Sequence, residues 1–199
     1  MKYKAISFYT IGTGYEKEAQ SLIQSLDKFN IPHDVRGVPN LGGWHKNSLH
    51  KPIFIGEMLK EAQGQALVWL DADSIVLRYP DIFDRIETDV AFYFRTTGRG
   101  AERFGGYELV TASMYFSNNE RVRALVDMWV QETRNKNQQD HNLVEQRSLQ
   151  RVLSVWQEQW HGTITYLPQS YCRIFDAPED HRVIVENQAS RRLRPEVGQ

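Results

Sequence analysis

The stretch Ala66–Leu77, ALVWLDADSIVL, decides how the rest of the chain is read. Apart from its two acids it has the composition of a buried strand, rich in Val, Ile, Leu and Trp. Asp71 and Asp73 sit in the middle of it. Side chains two residues apart on a strand point to the same side, so a strand continuing through the acids brings both carboxylates together. Unpaired in apolar surroundings, they repel each other and lose hydration. A hard divalent ion such as Mn2+ or Mg2+, which takes oxygen ligands, offsets that cost. The rival reading ends the strand at the acids, one capping a turn and the other solvated. The return of an apolar pattern at Ile75, Val76 and Leu77 argues for the metal. Ligands of open α/β sheets bind beyond the carboxyl ends of the strands. LVWL is therefore expected to be the buried part and DAD its exposed end.

Outward from this stretch the chain alternates strand and helix patterns, which predicts an α/β layer architecture with a mixed, mainly parallel sheet flanked by helices. YKAISFY, from Tyr3 to Tyr9, reads as the first strand, followed by a turn with Gly12 and Gly14. Ala19, Leu22, Ile23, Leu26 and Phe29 then recur at helical spacing until Asn30 and Pro32. HDVRGV is a second strand, and PNLGGWHKNSLHKP a Gly-, His- and Lys-rich loop. Pro52 suits a helix first turn, with Phe54, Ile55, Met58 and Leu59 as the apolar face of that helix. Later come the strands DVAFYFR and ELVTASMYF, separated by TTGRGAERFGG, which has no helical or strand period. Two helices follow, with Trp129 and Trp156 at core spacing. TITYL and RVIVE read as late strands, and residues 190–199 as a basic tail.

The chain has 199 residues, 41% hydrophobic and 25% charged, as expected for one globular domain spanning 1–199. Its net charge of -1 sets up no field toward nucleic acid or anionic lipid. The single cysteine, Cys172, excludes an intrachain disulfide and a cysteine-rich zinc site. MKYKAISFYTIGTG carries no secretory pattern, and no run approaches a membrane span. The expectation is a soluble cytoplasmic protein with no membrane partner.

LVWLDADSIVLRYPDIFD resembles the DxD region of GT-A glycosyltransferases, with Pro80 in the turn after the second apolar segment. Further likenesses follow in family order: SFYTIGTGYEKEAQSLIQSLDKF, VTASMYFSNNERVRALVDMW, EQRSLQRVL and VIVENQASRRLR. The resemblance implies a transferase that moves a sugar from a nucleotide-diphosphate donor, UDP- or GDP-linked, with Mn2+ or Mg2+ as cofactor. By position it makes Asp73 a direct metal ligand, and Asp71 a second ligand or a ribose contact. Tyr9, Thr10 and Ile11 would border the base and ribose, and Trp44 and Lys51 would face the nucleotide. Arg191 and Arg192 would add to a phosphate clamp, and Glu145 would lie near the sugar. Glu145 and Asp140 both remain candidates for a catalytic general base on the acceptor hydroxyl or for a contact to the sugar hydroxyls, with Asp140 also suiting a helix N-cap. Many members use a C-terminal histidine as a further metal ligand. Here the corresponding stretch reads VENQ, so Glu186 or Asn187 would substitute, with His181 upstream.

Arg95, Arg99, Arg103 and Arg194 are further cations of the glycine-rich loop and tail, and each also reads as a solvated charge. His45, His50 and His141 read as surface or loop histidines, with His45 and His50 also within reach of donor phosphates. GTGYEK lacks the third glycine of a dinucleotide fingerprint, and neither a Walker P-loop nor a Gly-x-Ser-x-Gly elbow occurs. Two rivals stay open: a nucleotidyltransferase on an α/β sheet, and a catalytically degenerate domain that binds sugar or a partner. The acceptor, whether glycan, protein, small molecule or nucleic-acid base, is not written in these motifs.

Overall fold

A computed structural model describes residues 2–103, 105–137, 145–174 and 181–193. Strand and helix alternate through β1 (Tyr3–Thr10), α1 (Tyr15–Asp27), β2 (His33–Val38), α2 (Trp44–Leu49), α3 (Lys51–Glu61) and β3 (Ala66–Leu70). There follow β4 (Ser74–Val76), β5 (Val90–Arg95), α4 (Gly98–Arg103), β6 (Glu108–Phe116), α5 (Glu120–Asn137) and α6 (Glu145–Trp160). The described chain closes with β7 (Ile164–Tyr166), β8 (Arg173–Ile174), β9 (Ile184–Glu186) and α7 (Ser190–Leu193).

Six strands form one sheet in the order β2-β1-β3-β6-β5-β7, in which β6 runs against the other five. This is the expected mixed, mainly parallel α/β architecture. β3 lies near its centre with every residue buried, because both faces of the sheet are covered. Leu67 and Trp69 pack toward Phe54, Met58, Leu125 and Trp156 of α3, α5 and α6. Ala66, Val68 and Leu70 pack toward Leu22 and Leu26 of α1 and toward Phe83 and Ile184. Trp129 and Trp156 are fully buried, as their spacing predicts.

The acids do not lie within a continuous strand. β3 stops at Leu70, and the Asp71 carbonyl accepts the Ser74 N–H at 2.9 Å. That tight turn carries the chain out of the main sheet into a second one, ordered β4-β9-β8. The apolar pattern resumes after the acids because β4 pairs in this second sheet, where Val76 packs into the same core as Val68 and Leu70 while Leu77 is exposed. Two expected loops also contain short helices, α2 and α4, each of six residues. α2 follows Gly42 and Gly43, α4 contains Gly98 and Gly100, and both carry little apolar periodicity, so the helical signal is weak. Asp140, His141 and Arg194 lie outside the described residues, as do the side chains of Arg99 and Arg103.

Asp89, just ahead of β5, ties three parts of the fold together. Its carboxylate accepts from Asn119 Nδ2 at 2.7 Å, Arg121 Nη2 at 2.9 Å, and the N–H and hydroxyl of Thr163 at 2.9 and 2.8 Å. Asn119 in turn caps α5 by accepting the Val122 N–H at 3.0 Å. Burial opposes ionisation here, but Arg121, Thr163 and Asn119 outweigh it and hold the carboxyl down at about 2. A depressed folded-state value gives stability that is complete above the ordinary carboxylate pKa of about 3.9 and lost as pH falls through about 2. Asp89→Ala is expected to cost about 3 kcal/mol at neutral pH, since buried donors lose their acceptor. Urea unfolding of both proteins should show that gap narrowing below about pH 4.

Candidate active site

The candidate site forms where the two sheets meet. The turn after β3 fixes Asp71 and Asp73, and the antiparallel register of β4 and β9 places Glu186 opposite Ser74. Carboxylate oxygens of Asp71, Asp73 and Glu186 come within 4.8 Å of one another. The C-terminal segment closes on this turn: Asn187 N–H donates to the Asp73 carbonyl at 3.1 Å, and Ala189 N–H to Asp73 Oδ2 at 2.6 Å. Glu186 is oriented by the hydroxyls of Ser74 at 2.8 Å and Ser113 at 3.4 Å.

On the other flank, Lys51 in the first turn of α3 inserts its side chain beside β6. Its Nζ lies 2.8 Å from Asp71 Oδ1 and 2.9 Å from Glu145 Oε1, with only 7% of the side chain exposed. The indole N–H of Trp69 donates to the same Asp71 oxygen at 2.9 Å, and the Thr111 hydroxyl donates to Glu145 at 3.1 Å. Glu145 is held from behind by its carbonyl, which accepts the Trp129 indole N–H at 2.8 Å.

The electrostatics separate the two flanks. Burial alone would lower the Lys51 ammonium, but Asp71 and Glu145 outweigh it and hold it above the usual lysine value. Burial raises Asp71 despite the pull of Lys51. Burial, and then the Asp71 charge, push Asp73 up to about 6. Burial raises Glu186 well above its ordinary value, with Asp73 and Asp71 adding to the push. One ammonium thus faces four carboxylates, and three of these crowd one point. Such a cluster is costly unless it meets protons or a cation. Three oxygens from hard carboxylates fit a divalent ion of the Mg2+ or Mn2+ class.

The acids line an open cleft together with Tyr9, Thr10, Trp44, Lys51 and Glu145. Most of the residues singled out in sequence around DxD are therefore gathered in one place, and Glu186 is the third carboxylate of the acid group. Ile11 is exposed beside the cleft at the end of β1, over β2. Its approach there requires Gly37, where a Cβ would stand 2.8 Å from Ile11 Cγ1 and 3.1 Å from the Tyr9 hydroxyl. Arg192 pairs with Glu18 of α1 at 2.8 Å, and Arg191 is exposed on α7. His50 does not line the cleft; its ring packs on Phe8 at 5.4 Å, and burial lowers its pKa. His181 is exposed.

Residues that motif reading missed are Tyr15, Asn47, Ser48, Gln188 and Ser190, all lining the cleft. The Trp69–Asp71 contact was findable, because residues two apart at a strand end share a face. The polar residues of α2 and α7 carry no comparable signal.

The chain matches no family model and no curated protein sequence. Its fold is shared with two solved glycosyltransferases. A glycosyltransferase involved in the glycosylation of the major capsid of PBCV-1 superposes with a TM-score of 0.68 at 13% identity, over 94% of this chain and 93% of that one. The glycosyltransferase GlyE of Streptococcus pneumoniae TIGR4 superposes with a TM-score of 0.60 at 14% identity, over 93% of this chain and 55% of that one. Among the described residues, no helix is long and apolar enough to cross a membrane.

Proposed function

We propose that the protein is a metal-dependent glycosyltransferase that moves a sugar from a nucleotide-diphosphate donor, UDP- or GDP-linked, to a hydroxyl-bearing acceptor. The observation that carries this reading is the convergence of Asp71, Asp73 and Glu186 in the cleft of a glycosyltransferase fold. The acids repel a bare diphosphate; with Mn2+ or Mg2+ bound, the cation supplies the positive charge that neutralises the leaving diphosphate.

The chain's own residues do the rest. Asp73 is fixed by the Ala189 N–H and Glu186 by Ser74, so the acceptor oxygens for the cation are in place beforehand. Lys51 locks Asp71 and Glu145 at the inner wall. Tyr9, Thr10 and Ile11 border the base and ribose, and Trp44 offers an aromatic face across the same cleft. Glu145, held by Lys51 and Thr111, accepts hydrogen bonds from the donor sugar in this reading. In the transfer, the acceptor oxygen bonds to the anomeric carbon as the bond to the diphosphate breaks. The electron pair leaves with the diphosphate, and the hydroxyl proton passes to a carboxylate or phosphate oxygen.

Incubation with UDP- and GDP-sugars and Mn2+ tests the reaction class. Slow release of UDP or GDP by transfer to water is expected. Incubation with UTP or GTP and sugar 1-phosphates in parallel separates the rival: release of pyrophosphate there would identify a nucleotidyltransferase, and no release of UDP or GDP from the sugar nucleotides over hours a domain that binds without turnover.

A further inference from the structure

Away from the acid cluster, at the same end of the main sheet, three aromatic rings stand together. The Phe94 ring lies 5.8 Å from that of Tyr107 and 5.1 Å from that of Tyr166, centroid to centroid. Tyr166 is 71% exposed and Tyr107 46%. Tyr166 ends the edge strand β7, Phe94 lies near the end of β5, and Tyr107 immediately precedes β6. β5 and β7 run in the direction of β1 and β3, so their ends share the side of the sheet that carries Asp71.

A polar strip connects the rings to the cleft. Glu145 opens α6, and its neighbour Gln146 donates from Nε2 to Glu108 Oε1 at 2.8 Å. Arg95 Nε donates to Glu108 Oε2 at 3.1 Å. One turn along α6, Gln150 accepts the Leu109 N–H at 3.1 Å and donates to the Tyr107 carbonyl at 3.3 Å. Thr111, bonded to Glu145, is four residues of strand from Tyr107, about 13 Å.

Exposed aromatics scattered singly are ordinary surface. Two exposed tyrosines joined through Phe94, fringed by a guanidinium, a carboxylate and amides and tied by hydrogen bonds toward Glu145 of the cleft, form a surface suited to binding. A pyranose ring presents an apolar C–H face and a rim of hydroxyls. The first matches an aromatic face and the second matches planar hydrogen-bonding groups. Among the described residues of the strip, the Arg95 guanidinium is already paired with Glu108, which leaves it little to offer a phosphate backbone.

We propose that Tyr107, Phe94 and Tyr166, with Arg95, Glu108 and Gln146, form an acceptor subsite for a carbohydrate, which makes the acceptor a glycan. This rests on the glycosyl-transfer reading above. A sugar ring stacks on Tyr107 or Tyr166, its hydroxyls meet the polar strip, and the chain leads back toward Glu145.

The test uses the wild-type protein and a Tyr107→Ala, Tyr166→Ala double variant on a printed array of defined glycans, with UDP and Mn2+ present. UDP affinity is measured by calorimetry in parallel. Wild type should retain a subset of glycans sharing a terminal sugar, and the double variant should lose at least tenfold of that signal with its UDP affinity intact. Absence of any retained glycan, or a signal undiminished in the double variant, overturns the subsite while UDP binding still supports the donor site. Glycan retention without UDP binding keeps the sugar surface and removes the transferase reading.

Discussion

Asp73→Asn should lower donor turnover about 10²–10³-fold, about 3–4 kcal/mol of transition-state stabilisation, while the metal-free protein melts at the same temperature or higher. The two halves of this expectation come from one geometry. Asparagine keeps an oxygen for the Ala189 N–H, which reaches Asp73 Oδ2 at 2.6 Å, so the turn survives. It removes one of three carboxylates whose oxygens lie within 4.8 Å, so the repulsion within the cluster falls. On the proposed reading, what is lost is a metal ligand and not a structural contact. Turnover read by UDP or GDP release, and melting read without metal, should therefore move in opposite directions, the usual relation where a site stores unfavourable charge for function. A variant that loses stability and activity together would instead make Asp73 a structural turn residue.

Lys51→Met should behave in the reverse manner, with folding hit first. The ammonium is buried and sits 2.8 Å from Asp71 and 2.9 Å from Glu145. Its removal leaves two carboxylates facing each other beside two more, and breaking a buried ion pair from one side costs about 3–5 kcal/mol. Adding Glu145→Gln to the same chain removes one of the stranded charges and should recover about half of that loss. Urea unfolding of the single and double variants gives both numbers. Equal destabilisation in the two would mean that Lys51 contributes packing and not charge balance.

The site was partly legible because charge inside an apolar run is conspicuous. Asp71 and Asp73 stood out for that reason, but they converge through a turn and not through strand alternation. Local sequence could not distinguish these, since β4 is apolar for the sake of a different sheet. Glu186 meets them only through the pairing of β4 with β9, a register fixed by contacts far along the chain. Periodicity does not encode such a register, and the resemblance to a family supplied it. The same holds for Lys51 and Glu145, which were named separately and whose mutual ion pair was not foreseen. The long elements were clear: β2 and β6 fall at the expected bounds, because their apolar patterns and flanking turns agree. The helix α2, six residues of mostly polar character after Gly42 and Gly43, gave no period to read. Asp89 looked like an ordinary first residue of a strand, because its partners Asn119, Arg121 and Thr163 come from later segments.

The central claim is that the acid cluster takes a divalent cation and, through its charge, a diphosphate. Calorimetric titration of the wild-type protein with UDP and with GDP, in the presence and absence of Mn2+, tests it directly. Binding of one nucleotide that is at least tenfold weaker without metal is the expected result. Equal affinity for that nucleotide with and without Mn2+, or no binding of either under both conditions, would contradict it.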